Sequence, residues 1–148
     1  MRKRTQAREC ALQILYQLDI VDQPLDQALP SFWEFHPASD EIRQFAEQLV
    51  HGTREHISEI DQKIIQYTEN WQLNRMAVVD RNILRFAVYE LLFVDEIPPK
   101  VTINEAVNIA KKYSQDEAGK FVNGILDKIN HTEVKKPDTA GSSQEADQ

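Results

Sequence analysis

Residues 80–94, DRNILRFAVYELLFV, predict the helix around which the chain folds. Their apolar side chains recur at the spacing of one broad helical face, formed by Ile83, Leu84, Ala87, Val88, Leu91 and Leu92. Phe86, Tyr89 and Phe93 extend the apolar surface around the other sides. We therefore expect a central helix surrounded by other helices, with Asp80 capping its start and Pro98-Pro99 beyond its end.

Further apolar stripes at helical spacing lie on both sides of this segment and predict the remaining helices. They cover about residues 5–18, 25–29, 39–52, 57–67, 102–113 and 114–129. Thr102 and Glu105 have the spacing of a capping box, and so do Ser114 and Glu117. Because no segment alternates as a strand does, the sequence predicts an all-α fold of about seven helices.

The composition is typical of one globular domain. The chain has 148 residues, of which 41% are hydrophobic and 28% charged. No apolar run approaches the roughly 20 residues of a membrane span, and a single cysteine, Cys10, agrees with a reducing compartment. We expect a cytoplasmic protein with no membrane association. Residues 131–148 are polar and show no stripe, which predicts a disordered tail.

The net charge of −7 conceals an uneven distribution of charge. Residues 1–8 carry four bases and no acid, whereas residues 9–70 hold twelve acids against three bases. A basic arm on an acidic body indicates a partner for the arm, usually a phosphate backbone. A solvated, frayed terminus explains the same charges, so the pattern leaves both interpretations open.

Sequence signals for catalysis are absent. The four glycines are too scattered for a phosphate-binding loop or a dinucleotide fingerprint. The four histidines, His36, His51, His56 and His131, lack the spacing and the cysteine partners of a zinc site. We therefore expect no catalytic residues, no metal and no cofactor.

Five segments occur in a recognisable order: ARECALQILY at 7–16, DRNILR at 80–85, VYEL at 88–91, residues 98–111 with INEA at 103–106, and KFVNGILD at 120–127. Together they resemble the NusB family of bacterial transcription antitermination factors over about residues 4–129. The resemblance implies one helical RNA-binding domain, residues 1–130, built from two packed bundles at about 5–70 and 71–130.

The resemblance also implies a non-enzymatic function. Proteins of this family pair with NusE, a small-subunit ribosomal protein, and the pair binds the single-stranded boxA element of nascent RNA. The complex then acts on RNA polymerase so that transcription passes terminators, notably on ribosomal RNA operons.

The family's RNA surface uses the basic amino terminus, the tyrosine of the first helix, the acid that opens the central helix, and the last helix. By position these are Arg2, Lys3, Arg4, Arg8, Tyr16, Asp80, Phe121 and Asn123. Guanidinium groups suit RNA phosphates, and aromatic rings stack on unpaired bases. Packing between the bundles is the alternative for Tyr16, and ordinary core packing is the alternative for Phe121.

Two other functions fit parts of the sequence. A similar helical domain precedes the catalytic domain of some ribosomal RNA methyltransferases, but a polar tail follows it here instead of a cofactor-binding domain. The second alternative is a helical protein–protein adaptor without direct RNA binding, whose acidic face binds a basic partner.

Overall fold

The computed structural model describes residues 2–69, 72–134 and 136, and within them it contains seven α-helices and no strand. The helices are α1 (Lys3–Ile20), α2 (Leu25–Phe35), α3 (Asp40–Glu55), α4 (Ile57–Tyr67), α5 (Val78–Phe93), α6 (Pro99–Tyr113) and α7 (Asp116–Glu133). One 3₁₀ turn, Leu73–Arg75, precedes α5. The all-α prediction is confirmed.

Helix α5 is central, as its apolar face predicts. It packs against α1, α3, α4, α6 and α7, and Ile83, Leu84, Ala87 and Val88 are completely buried. Buried apolar side chains from all seven helices form one core cluster. The division into bundles at about 5–70 and 71–130 stays a prediction.

The predicted starts of α5 and α6 are wrong, and so is the predicted capping box of α7. Helix α5 begins at Val78 after Ala77, without a side-chain cap, so Asp80 lies in the first turn instead of at the cap. Helix α6 begins at Pro99, three residues before Thr102. Proline favours this first position because it has no N–H to leave unpaired. The Thr102 hydroxyl instead donates to the buried carboxylate of Glu90 at 2.8 Å.

Other helix ends follow local chemistry more closely. The Ser39 hydroxyl oxygen accepts from the backbone N–H of Ile42, so the predicted cap of α3 is confirmed. Helix α7 begins at Asp116 after Gln115, without a side-chain cap, so the capping box predicted from Ser114 and Glu117 is wrong. The helix continues to Glu133, so residues 131–133 of the predicted tail are helical. Beyond it, the Lys136 ammonium donates to the Glu90 and Val94 carbonyls at the end of α5. The rest of the predicted tail lies outside the described residues.

None of the helices within the described ranges is long and apolar enough to cross a membrane.

Gly52 lies inside α3, where the Tyr89 ring of α5 packs directly against its backbone. Tyr89 belongs to a half-buried aromatic stack in which the Phe93 and His56 ring centroids are 4.1 Å apart. A Cβ at position 52 would collide with the Tyr89 ring and force it out of this arrangement. Gly52 therefore lies where α3 and α5 approach each other closely.

We expect Gly52→Ala to destabilise the protein by about 1–3 kcal/mol, because the added carbon overpacks this contact. Gly124→Ala is the matched control, since open space surrounds position 124 in α7. It should stabilise the fold by about 0.5–1 kcal/mol, because alanine favours a helix interior. Urea unfolding of both variants measures the two effects. Equal stability of the two proteins would contradict the close approach of Tyr89.

Candidate nucleic-acid interface

Arg8 is completely buried between α1, α5 and α6. Its Nε and Nη2 atoms donate to the two carboxylate oxygens of Glu90 at 2.7 and 2.8 Å, and Nη1 donates to Glu105 Oε1 at 3.1 Å. The Thr5 hydroxyl donates to the same Glu105 oxygen at 2.6 Å. In this conformation the Arg8 guanidinium is inaccessible to an RNA phosphate, in contrast to the expectation from the basic arm.

The buried ion pair explains why Arg8 stays charged. Burial alone would lower the pKa of the guanidinium, but the charges and hydrogen bonds of Glu90 and Glu105 outweigh it, and the pKa is raised. The paired carboxylate of Glu90 is equally inaccessible, with a side-chain exposure of 0%. The group therefore joins three helices by charge-assisted hydrogen bonds.

The other three cations of the arm lie at the start of α1, where Arg2 and Lys3 are exposed and Arg4 is half-buried. The Lys3 ammonium forms an exposed ion pair with Glu41 of α3 at 3.3 Å. The Arg4 guanidinium lies over the Phe45 ring, 4.5 Å from its centroid. Exposed ion pairs of this kind contribute little to stability, so a phosphate could compete for Lys3.

Tyr16 is exposed, with 40% of its surface accessible, and is not packed into the core. It lies about 18 Å along α1 from Arg4, given a rise of 1.5 Å per residue. Two turns before it, Glu9 accepts from the Tyr113 hydroxyl of α6 at 3.0 Å. One turn after it, Asp19 accepts from Arg81 at 2.6 Å. Tyr16 thus lies between contacts to α6 and α5.

A polar cluster around Asp19 fixes the end of α1 against the start of α5. Asp19 Oδ2 accepts from Arg81, Asn82 and Arg85 at 2.6, 2.9 and 3.1 Å, and Arg85 also forms an ion pair with Asp61 of α4. Burial acts to raise the pKa of Asp19, but the hydrogen bonds and charges of these donors lower it overall. This cluster fixes the last turn of α1, one turn beyond Tyr16, against the first two turns of α5.

Asp80 and Phe121 line the same open cavity, of about 380 Å³, between the start of α5 and the start of α7. The other lining residues are Arg75, Met76, Ala77, Ser114, Gln115, Glu117 and Ala118. One carboxylate oxygen of Asp80 is buried and has no hydrogen-bond partner in the part of the chain that the structure describes. A donor entering this cavity could supply the missing hydrogen bond.

Phe121 is half-buried and also borders a second cavity, toward Tyr67 and Lys128. Its ring therefore separates two adjoining depressions along α7 and packs only partly against the core. Asn123 is exposed but lies about 200° around the helix from Phe121, at 100° per residue. The two residues consequently face different sides of α7.

The predicted site residues thus fall into four groups. Asp80 and Phe121 share a cavity, and Tyr16 is held close to the same end of α5. Arg2, Lys3 and Arg4 lie at the opposite end of α1, Asn123 lies on another flank, and Arg8 is internal. Sequence reasoning did not single out Tyr113, whose hydroxyl donates to Glu9, because no local motif distinguishes it. Within the described residues, no group of three His, Cys, Asp or Glu side chains is placed to hold a metal ion.

Comparisons with known proteins agree over most of the chain. The NusB family model matches residues 5–131. The transcription antitermination protein NusB of Anaeromyxobacter dehalogenans is 50% identical over 128 residues, which cover 86% of this chain and 89% of that protein. NusB of Thermodesulfovibrio yellowstonii is 44% identical over 142 residues, covering 89% of this chain and 94% of that protein.

Solved structures show the same similarity. T. maritima NusB is 41% identical with a TM-score of 0.82, covering 89% of this chain and 93% of that chain. A chain in a crystal structure of the antitermination factors NusB and NusE in complex with dsRNA is 32% identical, with a TM-score of 0.80. The match covers 88% of this chain and 98% of that one.

Proposed function

Because the chain belongs to the NusB family, we propose that it is an RNA-binding transcription antitermination factor. Together with NusE it binds boxA-type single-stranded RNA and promotes read-through by RNA polymerase, notably on ribosomal RNA operons. Such a factor acts by binding and not by catalysis, and it works in the cytoplasm, where bacterial RNA is transcribed.

The exposed Tyr16 ring, one turn before the Asp19–Arg81 contact that joins α1 to the start of α5, is the observation that supports direct RNA binding best. An aromatic ring at the surface can stack on an unpaired base, and a base with an amino group can donate to the unpartnered oxygen of Asp80. We assign base contacts to Tyr16, Asp80 and Phe121. Asn123 is assigned a separate contact, on the other flank of α7.

The basic arm supplies the second part of the proposed site. Arg2, Lys3 and Arg4 contact phosphates of the same strand, further along α1, while Arg8 supports the fold from inside. The acidic residues of segment 9–70 repel RNA, and NusE reduces this repulsion if it covers part of that segment.

Titration of a fluorescent boxA-type strand, with and without NusE, tests the proposed function. We expect the protein alone to bind weakly and NusE to strengthen the binding. The relative solved with NusE contains dsRNA, so a duplex of the same sequence is the comparison. The single strand should bind more tightly, because only its bases are unstacked. Tight NusE binding with no RNA binding in either state would favour the adaptor alternative.

The salt dependence of RNA binding should reflect phosphate contacts by three cations of the arm, Arg2, Lys3 and Arg4, since Arg8 is internal. At about −0.7 per phosphate contact on a single strand, the logarithm of affinity should fall with the logarithm of salt at a slope of about −2. Replacing Arg2, Lys3 and Arg4 with alanine should remove this contribution and leave only the slope that cations elsewhere on the surface supply.

Arg43→Ala is the matched control for the arm variant, since Arg43 also lies over an aromatic ring, that of Trp33, but on α3. It should leave the slope unchanged. An unchanged slope in the triple variant would remove the arm from the RNA site.

A further inference from the structure

Tyr113, the last residue of α6, is a second exposed tyrosine near Tyr16, with 36% of its surface accessible. Its hydroxyl donates to Glu9 Oε1 of α1 at 3.0 Å. Burial raises the pKa of this hydroxyl and the hydrogen bond to Glu9 raises it further, so the ring remains neutral at physiological pH. One edge of the ring is therefore anchored, while part of its surface faces solvent.

Glu9 holds two side chains of α6 together. Both of its carboxylate oxygens accept from the Lys112 ammonium, at 3.2 and 3.0 Å, and one of them also accepts from Tyr113. The Lys112 ammonium lies 5.3 Å from the centroid of the Tyr113 ring. Only 12% of the Glu9 side chain is exposed, whereas 49% of the Lys112 side chain is. The result is a fixed aromatic ring with a cation over one face.

The anchor places Tyr113 beside the part of α1 that carries Tyr16. Glu9, Gln13 and Tyr16 lie within about 60° of one another around α1, at 100° per residue. Tyr113 donates to Glu9, and Tyr16 follows Glu9 by about 10.5 Å along the helix axis. The two exposed tyrosines thus border one continuous strip of surface.

We propose that Tyr113 is a second base-stacking residue for single-stranded RNA, adjacent to Tyr16, and that Glu9 is the positioning residue that holds it. This inference rests on the proposed function. A ring fixed before binding loses little conformational freedom when a base stacks on it. Exposed Lys111 and Lys112 place positive charge where the phosphate of the stacked nucleotide would lie.

The simpler role for Tyr113 is to connect α6 to α1 through its hydroxyl. Two variants separate the roles, since Tyr113→Phe keeps the ring without the hydroxyl, and Tyr113→Leu loses the aromatic ring as well. With NusE present, we expect Tyr113→Leu to weaken binding of a boxA-type strand by about fivefold or more. Tyr113→Phe should stay within about twofold of the unchanged protein. Phe35→Leu, at an aromatic residue that is 76% exposed on α2, is the control and should leave affinity unchanged.

A stacking-specific signal makes the test independent of stability. The RNA carries 2-aminopurine at one position at a time, and its fluorescence reports whether that base is stacked. One position should respond to Tyr113→Leu and a neighbouring position to Tyr16→Ala. A fluorescence response at no position would overturn the proposal, whatever the melting temperature of the variant.

Four other results would each count against the stacking role of Tyr113. Equal losses of RNA affinity in Tyr113→Phe and Tyr113→Leu would show that the hydroxyl connection matters and not the ring. Weaker NusE binding in the absence of RNA would place Tyr113 at the protein partner instead. If Tyr113→Leu binds RNA normally while Tyr16→Ala does not, this inference fails and the proposed function stands. If the unchanged protein binds no RNA even with NusE, the proposed function itself fails.

Discussion

Arg8→Met is expected to destabilise the fold by about 3–5 kcal/mol, because it leaves the buried carboxylate of Glu90 without its cation. The methionine fills much of the same space, so the loss reflects charge more than volume. Urea unfolding measures the effect. Lys3→Met, which removes an exposed ion pair with Glu41, is the matched control and should cost less than about 1 kcal/mol.

A double variant sharpens this test. Arg8→Met combined with Glu90→Leu removes both buried charges, and apolar replacements for a buried ion pair are often neutral or stabilising. We expect the double variant to recover part of the lost stability, although Thr102 and Glu105 lose partners. If Arg8→Met alone keeps normal stability but binds RNA poorly, then Arg8 acts at the interface and its internal role is wrong.

Tyr16→Ala is expected to lower RNA affinity by about 1–3 kcal/mol, or about 5- to 150-fold, through the loss of base stacking. Stability should change little, since the ring is exposed and removing it leaves no enclosed cavity. Titration and thermal unfolding on the same variant measure both quantities. Phe35→Ala is the control for loss of an exposed aromatic ring.

Two results would count against this role of Tyr16. A loss of several kcal/mol in stability, with normal affinity of the folded fraction, would indicate that the ring packs within the protein. Unchanged affinity and unchanged stability would remove Tyr16 from the RNA site without affecting the fold.

The apolar periodicity predicted α5 well because burial of one helical face dominates its packing. Arg8 shows where the same reasoning could have gone further, since it lies next to the Ala7, Ala11 and Leu15 stripe of α1. Its position on the helix already indicated burial, whereas its place in a basic segment indicated the surface. The deciding partner, Glu90, is 82 residues away, and no local pattern connects the two.

Local motifs predicted helix starts wrongly where the same side chains form tertiary contacts. Thr102 and Glu105 have the spacing of a capping box, but Pro99 starts the helix earlier. Thr102 donates to Glu90 instead, and Glu105 accepts from Arg8. Tyr113 had no distinguishing motif, because its anchor on Glu9 depends on how α6 crosses α1. For Tyr16, the resemblance implied an RNA contact and packing between the bundles was the alternative; its exposed ring favours the first.

Crosslinking of RNA to the protein tests the central claim most directly. A boxA-type strand containing 4-thiouridine is bound with NusE and irradiated, and the crosslinked peptides are identified by mass spectrometry. The account predicts crosslinks in α1 around Tyr16 and in α7 around Phe121. Crosslinks confined to the outer faces of α2, α3 and α4, under conditions where the strand is fully bound, would contradict it.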